Sequence, residues 1–271
     1  MDTDSLERLA TTELLDRALA LARTDEDDDA DRWAAVVALR RRPERAVFEQ
    51  AMRWCASREP RDRCLGANIL SQLGAPECPF AAESTPALVT LLRDQDEDVV
   101  IEAVYALGHL RAGTVTELAA FARHASSRVR EAVAHALGGR ADPNADDTLR
   151  LLSADGDTDV RNWATFGLGS LCERDTPDIR DALADRLADE DEEVRGEALV
   201  GLARRRDPRA TAAIVAALNG GDVSPLVIEA AESMPSAEFI GPLRAVLRAA
   251  PSEAVLQALA RCEAVVDSPA A

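Results

Sequence analysis

Apolar residues recur along this chain in blocks of similar length. Within a block they follow one another at intervals of three and four residues, which is the spacing of one face of an α-helix. The clearest blocks begin with an acidic or serine-rich turn, continue with Val-Arg and a small apolar residue, and end on a leucine. They are SSRVREAVAHALGG (126–139), DTDVRNWATFGLGS (157–170) and DEEVRGEALVGLAR (191–204). DEDVVIEAVYALGH (96–109) has the same pattern with valine in place of the arginine.

Weaker copies at both ends of the chain extend the repeat over nearly its whole length. The last apolar position of each copy defines an anchor column with spacings of 31, 37, 30, 31, 34, 32 and 28 residues. A fixed period in this range is typical of repeat architectures. The anchors are Leu39, Leu70, Leu107, Leu137, Leu168, Leu202, Met234 and Cys262.

Between successive copies lies a second segment with helical apolar spacing, such as TPDIRDALADRLAD (176–189). Each unit is therefore predicted to be a helix pair, and the fold class to be an all-α, right-handed α-solenoid of about eight pairs. We expect a single solenoid domain over residues 1–264, followed by a disordered tail at 265–271. The predicted units are 1–42, 43–75, 76–112, 113–141, 142–173, 174–206, 207–235 and 236–264.

Two segments depart from the regular repeat. The longest spacing contains GAPECPFAAESTP (74–86), which is a candidate insertion between the second and third units. An insertion of this kind either contributes to binding or only bridges two helix pairs. The acidic run DEDDDAD (25–31) is expected to be a solvated loop between helices, with a contact to a cation or partner as the alternative.

The composition and charge of the chain exclude several kinds of partner. The formal net charge is −18, and all 31 basic residues are arginine, so we expect no nucleic-acid partner. No apolar stretch is long enough for a membrane span, and the N-terminal residues are charged throughout, which predicts a cytoplasmic protein without a membrane partner. The five cysteines form no CxxC motif and are expected to be reduced and mostly buried. Trp33, Trp54 and Trp163 are expected to fill gaps between repeats.

The repeated Val-Arg, alanine and Leu-Gly positions resemble HEAT repeats of the short bacterial type first named after phycobiliprotein lyases. A closer resemblance covers 159–210 and VIEAAESM (227–234), which look like the YibA-type HEAT-repeat proteins of bacteria. PRDRCLGANILSQLG (60–74) is compatible with the same relatives. Proteins of that type are encoded beside Rhs toxins, so the resemblance implies an immunity or partner-binding role.

A second column of residues stands two positions before each anchor, about 200° round the helix from the core stripe. Its members vary from unit to unit, and in a solenoid the second helices line the concave surface. An aromatic ridge bordered by carboxylates would suit a partner with a basic surface. The alternative is that these side chains only pack between neighbouring second helices. The predicted partner-binding residues of the concave face are Glu102, Tyr105, Glu131, His135, Asn162, Phe166 and Glu197.

The arginines of the Val-Arg motif, Arg130, Arg161 and Arg195, are expected to bond to turn carboxylates of their own or the next repeat as a structural ladder. No phosphate-binding loop or hydrolase motif is present, and a chain with three histidines offers little for a catalytic triad. We therefore expect no catalytic residues, no metal site and no cofactor.

Three hypotheses follow from the sequence. The first is a non-enzymatic protein-binding chain, monomeric when free, whose acidic concave face captures a basic protein, with a Rhs-type toxin as the cognate partner. The second is a lyase-like protein that handles a bilin or another cofactor. The third is a purely structural scaffold, which would be favoured if the second column were buried.

Overall fold

The computed structural model describes residues 6, 8–24, 29–220 and 223–267, and these residues contain α-helices and no β-strand. The described ranges contain sixteen α-helices with given bounds, which follow one another as eight consecutive pairs, so the all-α fold is confirmed. The first helices of the pairs are α1 (Thr11–Arg23), α3 (Arg45–Cys55), α5 (Ala81–Leu91), α7 (Val115–Ala119), α9 (Pro143–Leu152), α11 (Pro177–Arg186), α13 (Arg209–Leu218) and α15 (Ala237–Ala249). The second helices are α2 (Asp29–Arg40), α4 (Pro60–Leu70), α6 (Glu97–His109), α8 (Ser127–Leu137), α10 (Thr158–Phe166), α12 (Glu192–Arg204), α14 (Pro225–Ser233) and α16 (Glu253–Asp267).

The chain divides into two compact units, Met1–Ala136 and Leu137–Ala271. The first unit contains α1 to α7 and nearly all of α8, and the second contains α9 to α16. One irregular turn stands out in the second unit, where α10 passes into a π-helical turn at Gly167–Leu171. That a single domain extends over residues 1–264 stays a prediction.

Aspartate side chains begin several of the second helices. Asp96, Asp157 and Asp191 each accept hydrogen bonds from the two backbone N–H groups that lie two and three residues further on. Thr114 and Glu117 form a reciprocal capping box at the start of α7. Such caps satisfy donors that have no partner inside the helix, and carboxylates there also interact favourably with the helix dipole. Much of the acidity of the chain is therefore structural.

The anchor column lies in the core. Leu39, Leu107, Leu168 and Leu202 are fully buried, whereas Met234 is only half-buried. The first helices contribute equally buried residues, such as Leu88. Burying a leucine side chain stabilises the fold by about 1.5–3 kcal/mol, so the repeated apolar columns account for much of the folding free energy.

The structure corrects three sequence expectations at irregular segments. The candidate insertion 74–86 is not one loop, because turns end at Phe80 and helix α5 begins at Ala81 with Pro86 inside it. The expected tail at 265–271 does not include residues 265–267, since α16 continues through Asp267. Residues 268–271 lie outside the described part of the chain. So do residues 25–28 of the acidic run, and helix α2 begins at Asp29.

Candidate functional site

Four of the predicted binding residues lie on α6 and α8 of the first unit, and all four are half-buried. The hydroxyl of Tyr105 donates a hydrogen bond of 3.4 Å to Oε1 of Glu131. The Tyr105 ring meets the His135 ring edge to face, with centroids 5.1 Å apart. Burial and the neighbouring Glu131 carboxylate raise the pKa of Tyr105 to about 12. Tyr105 therefore stays a neutral hydrogen-bonding aromatic residue on this face.

His109 also belongs to this cluster, although no feature of the repeat pattern indicates it. The centroids of the His109 and His135 rings lie 5.3 Å apart, and the rings again meet edge to face. Burial lowers the pKa of both imidazoles, and the charges of His135 and Arg40 lower that of His109 further. Both histidines are therefore neutral at pH 7, so the cluster is aromatic and weakly polar.

In the second unit, Asn162 and Phe166 lie half-buried on α10. The Phe166 ring packs edge to face against the Trp163 ring, with centroids 5.9 Å apart. Trp163 is 37% exposed, so it does not fill a closed gap between repeats as the sequence predicted. The proposed aromatic ridge runs from Tyr105 and His135 to Phe166 and thus involves both units, and it stays a prediction.

Glu197 is not available on an open surface, which corrects its predicted position. It is only 8% exposed, and its Oε2 accepts a hydrogen bond of 3.3 Å from the Ser170 hydroxyl. Burial raises the pKa of Glu197, and the negative charges of other nearby glutamates raise it further. The reason is a close backbone approach, because a Cβ atom at Gly169 would lie 2.9 Å from the carbonyl oxygen of Glu197. The π-helical turn that contains Gly169 and Ser170 thus lies against α12 and covers a side chain that helical register alone would leave open.

The arginines of the Val-Arg motif bond to the turn that precedes their own helix. Nη1 of Arg130 donates to the carbonyl oxygens of His124 and Ala125 at 2.8 and 3.1 Å. Nη1 of Arg195 does the same to the carbonyl oxygens of Asp189 and Glu190, at 2.8 and 2.9 Å. These bonds go to backbone carbonyl oxygens and not to the turn carboxylates that the sequence predicts. They still hold the turn against the helix, which favours a structural role for these arginines.

Arg161 and Arg63 reach further, to a carboxylate of the next repeat. Arg161 forms two hydrogen bonds to Asp189, and Arg63 forms two to Asp94 at 2.7 and 2.8 Å. Arg63 belongs to a weaker sequence copy and was not predicted as a member of the column. Its motif lacks the preceding valine, although the spacing of arginine and anchor is the same.

A groove of about 770 Å³ opens across the second helices of the first unit. The sequence did not predict it, because its walls come from α2, α4, α6 and α8 at positions that the repeat pattern leaves polar and variable. Trp33, which the sequence assigned to a gap between repeats, is 54% exposed at this groove. The lining residues are Ala22, Thr24, Arg32, Trp33, Val36, Arg61, Cys64, Leu65, Asn68, Asp98, Ile101, Glu102 and Arg128.

Hydrogen bonds link three of these helices at the floor of the groove. Buried Arg40 on α2 donates from Nη2 to Oδ1 of Asn68 at 3.0 Å, and Nδ2 of Asn68 donates to Oε2 of Glu102 at 2.9 Å. Burial raises the pKa of Glu102, although Asn68 and the charge of Arg40 partly oppose the shift. The predicted binding residue Glu102 is thus a half-buried carboxylate within the groove.

The described residues provide little for catalysis. Burial raises the pKa of Cys64 and of Cys55 to about 12, so neither thiol forms the reactive thiolate near neutral pH. Across 29–220 and the other described ranges, no three His, Cys, Asp or Glu side chains converge as a metal site requires. None of the described helices has a stretch long and apolar enough to cross a lipid bilayer.

Comparison with known proteins agrees with this architecture. The sequence pattern of HEAT repeats matches residues 85–169 and 148–235, which together cover more than half of the chain. Protein YibA of Escherichia coli K12 is 39% identical over 106 residues, and the YibA of strain O157:H7 gives the same match. This alignment spans 39% of the chain and only 38% of YibA.

Solved structures extend the likeness. The crystal structure of E. coli YibA matches with a TM-score of 0.76 and 26% identity, over 96% of this chain and 95% of YibA. An engineered protein matches with a TM-score of 0.63 and 19% identity over 95% of this chain and 79% of its own, which shows a shared fold alone. A designed armadillo repeat protein has the same kind of fold, with a TM-score of 0.50 and 20% identity over 80% of this chain and 99% of its own. The chain belongs to the HEAT-repeat family, and within that family it is similar to YibA.

Proposed function

We propose that this chain is a non-enzymatic binding protein whose second helices contact a protein partner. HEAT-like and armadillo-like repeats generally mediate protein interactions, and the solenoid fold is typical of non-catalytic scaffolds. The observation that carries the proposal is the open groove across α2, α4, α6 and α8, in which Trp33 is more than half exposed. Exposed aromatic residues in concave sites are characteristic of interaction hot spots.

The proposed partner has a basic surface. The net charge of −18 attracts a cationic protein and repels nucleic acid over long distances. Glu102 and Glu131 place carboxylates on the second helices of the first unit, close to the aromatic residue Tyr105. The groove also contains arginines, so the charge match is local and not uniform. The free chain is proposed to be a monomer without a cofactor or a membrane partner.

A finer proposal names the partner as a toxin and the chain as its cytoplasmic immunity protein. This step rests on the resemblance to YibA-type proteins, which are encoded beside Rhs toxins. Binding through variable side chains on a repeated framework suits that role, because the framework stays constant while the contact residues change.

Co-expression tests this proposal. The reading frame next to the gene is expressed in a sensitive bacterial host with and without this chain, and the two proteins are then mixed and separated by size-exclusion chromatography. We expect growth to be restored by the chain and one co-eluting complex. A host that dies despite expression of the chain, together with two separate elution peaks, would refute the immunity role.

Three single variants test whether the second helices contact the partner protein. Tyr105→Ala and Phe166→Ala remove predicted contact residues, one from each unit. Leu151→Ala removes a 41% exposed side chain from α9, which is the first helix of its pair. We expect the first two to lose protection and the third to keep it, with helix content measured by circular dichroism for all three.

A further inference from the structure

We propose that Glu102 and Trp33 in the groove of the first unit together receive an arginine side chain of the partner protein. This inference rests on the proposed function and names the chemistry of one contact. The two residues belong to α6 and α2 and line the same groove of about 770 Å³. The indole provides a flat aromatic surface and the carboxylate provides a negative charge.

The Trp33 indole already contacts a guanidinium group within the chain. Cζ of Arg40 lies 4.9 Å from the centre of the Trp33 ring, a distance typical of a cation–π interaction. The residue nevertheless keeps 54% of its surface exposed. A second guanidinium can therefore approach the exposed part of the same ring without displacing Arg40.

Two carboxylates line the groove, and Glu102 has the weaker bonding partner of the two. Its hydrogen bond comes from Asn68, a neutral amide, at 2.9 Å, and none of its described contacts is an ion pair. Asp98, by contrast, is bound to Nη1 of Arg128 at 2.8 Å. Half-buried carboxylates are stabilised strongly by a cation that forms two parallel hydrogen bonds, which a guanidinium can supply.

Two of the arginines that line the groove, and the buried Arg40 beside it, are bonded to other groups. Arg128 is engaged with Asp98, and Nη1 of Arg61 donates to the carbonyl oxygens of Arg23 and Thr24 at 2.9 and 3.2 Å. Arg40 directs its guanidinium to Asn68 and to the Ser71 hydroxyl. Burial raises the pKa of Glu102, and the Asn68 hydrogen bond and the charges of Arg40 and Arg32 offset only part of this effect.

The occupant is an arginine and not an acidic residue because the exposed face of Trp33 and the carboxylate of Glu102 both favour a cation, whereas Arg128 is paired with Asp98. Val36, Leu65 and Ile101 supply apolar surface beside them. They suit the aliphatic stem of arginine or an apolar neighbour in the partner sequence.

The test uses three blocked peptides: acetyl-Leu-Arg-Leu-amide, the same peptide with citrulline, which keeps the shape of arginine without its charge, and acetyl-Leu-Glu-Leu-amide. Each is titrated into the ¹⁵N-labelled full chain while the indole N–H signals of the three tryptophans are followed by NMR, with Trp33 assigned from a W33F variant. We expect the Trp33 signal to move with the arginine peptide and the signal of buried Trp54 to stay. The citrulline peptide is expected to bind at least fivefold more weakly.

Two variants of equal charge change identify the carboxylate. E102Q keeps the size of the side chain and its bond to Asn68, and E49Q removes one negative charge from an exposed position on α3. We expect E102Q to weaken the arginine peptide at least fivefold and E49Q to change it less than twofold. Equal effects of the two variants, an unmoved Trp33 signal, or a stronger response to acetyl-Leu-Glu-Leu-amide would each overturn the inference. If the cognate partner still forms a complex with the wild-type chain in that case, the proposed function stands and only this contact is wrong.

Discussion

The guanidinium of Arg161 forms two hydrogen bonds to the carboxylate of Asp189, of 2.9 Å from Nε and 3.0 Å from Nη2. Both side chains are almost fully buried, and Oδ1 of Asp189 also accepts the backbone N–H of Asp191, the residue that caps α12. The pair therefore connects α10 to the start of the second helix of the next repeat. This is a bond of the kind that the sequence predicts for Arg161, to a turn carboxylate of the next repeat.

Loss of Arg161 leaves the buried Asp189 carboxylate with only a longer contact of 3.4 Å to Arg186. We expect Arg161→Met to lower the free energy of unfolding by about 3–5 kcal/mol, measured by urea denaturation followed by circular dichroism. The control is Arg128→Met, because the Arg128–Asp98 pair is 63% exposed on both sides and is expected to contribute less than about 1 kcal/mol. Similar losses for the two variants would show that the Arg161 pair is not a buried structural link.

Close packing of glycines in the second unit gives another stability prediction. A Cβ atom at Gly201 would lie 2.6 Å from Cα of Gly169 and 2.9 Å from Leu183, so Gly201→Ala is expected to destabilise the fold by about 2 kcal/mol. Gly156→Ala places its Cβ in open space and is expected to stabilise by about 0.5 kcal/mol. Thermal melts of both variants give the comparison, and a neutral Gly201→Ala would argue against this close approach.

Asp207 predicts an acid-sensitive part of the stability. Hydrogen bonds from Arg209 outweigh burial and lower the pKa of Asp207 to about 2, below its usual value of 3.8. Because the folded state holds the carboxylate ionised, this contribution is fully present above about pH 4 and is lost as the pH falls towards 2. Unfolding free energies measured between pH 5 and 2 are expected to fall less steeply for Asp207→Asn than for the wild-type chain. Parallel curves would contradict the assignment.

The imidazoles of His109 and His135 predict a further loss of stability on acidification, at a higher pH than that of Asp207. Burial lowers both pKa values in the folded chain below the usual 6.5, so the unfolded chain binds protons more readily. The contribution to stability is present above that range and falls as the pH drops below 6.5. Titration of the histidine Cε1–H signals by NMR, together with denaturation at pH 7.5 and 5.5, measures this effect. Folded pKa values at or above 6.5 would be the contrary result.

The fold could be predicted from the sequence because the signals are local and repeated. Leu107, Leu168 and Leu202 are buried as their period requires, and aspartates cap the helices that follow the acidic turns. Sixteen helices in eight pairs follow from these two patterns. The shortest first helix, α7, has only five residues, and a capping box of Thr114 and Glu117 stabilises its start.

The candidate site could be predicted only in part. Helical register places Tyr105, Glu131 and His135 on one face, and they do contact one another. Register does not report how closely two helices approach, so the burial of Glu197 beside Gly169 escaped it. Helical register also does not show which polar positions of four different helices converge, so the groove around Trp33 could be found only in the structure.

The affinity of the cognate partner for three single variants tests the central claim, that the second helices form the binding face. Dissociation constants are measured by isothermal titration calorimetry for the wild-type chain, Tyr105→Ala, Phe166→Ala and Leu151→Ala. We predict that Tyr105→Ala and Phe166→Ala each weaken binding at least tenfold, about 1.4 kcal/mol, while Leu151→Ala on the first helix α9 stays within twofold. A partner that loses affinity for Leu151→Ala and binds the other two variants normally would contradict the claim.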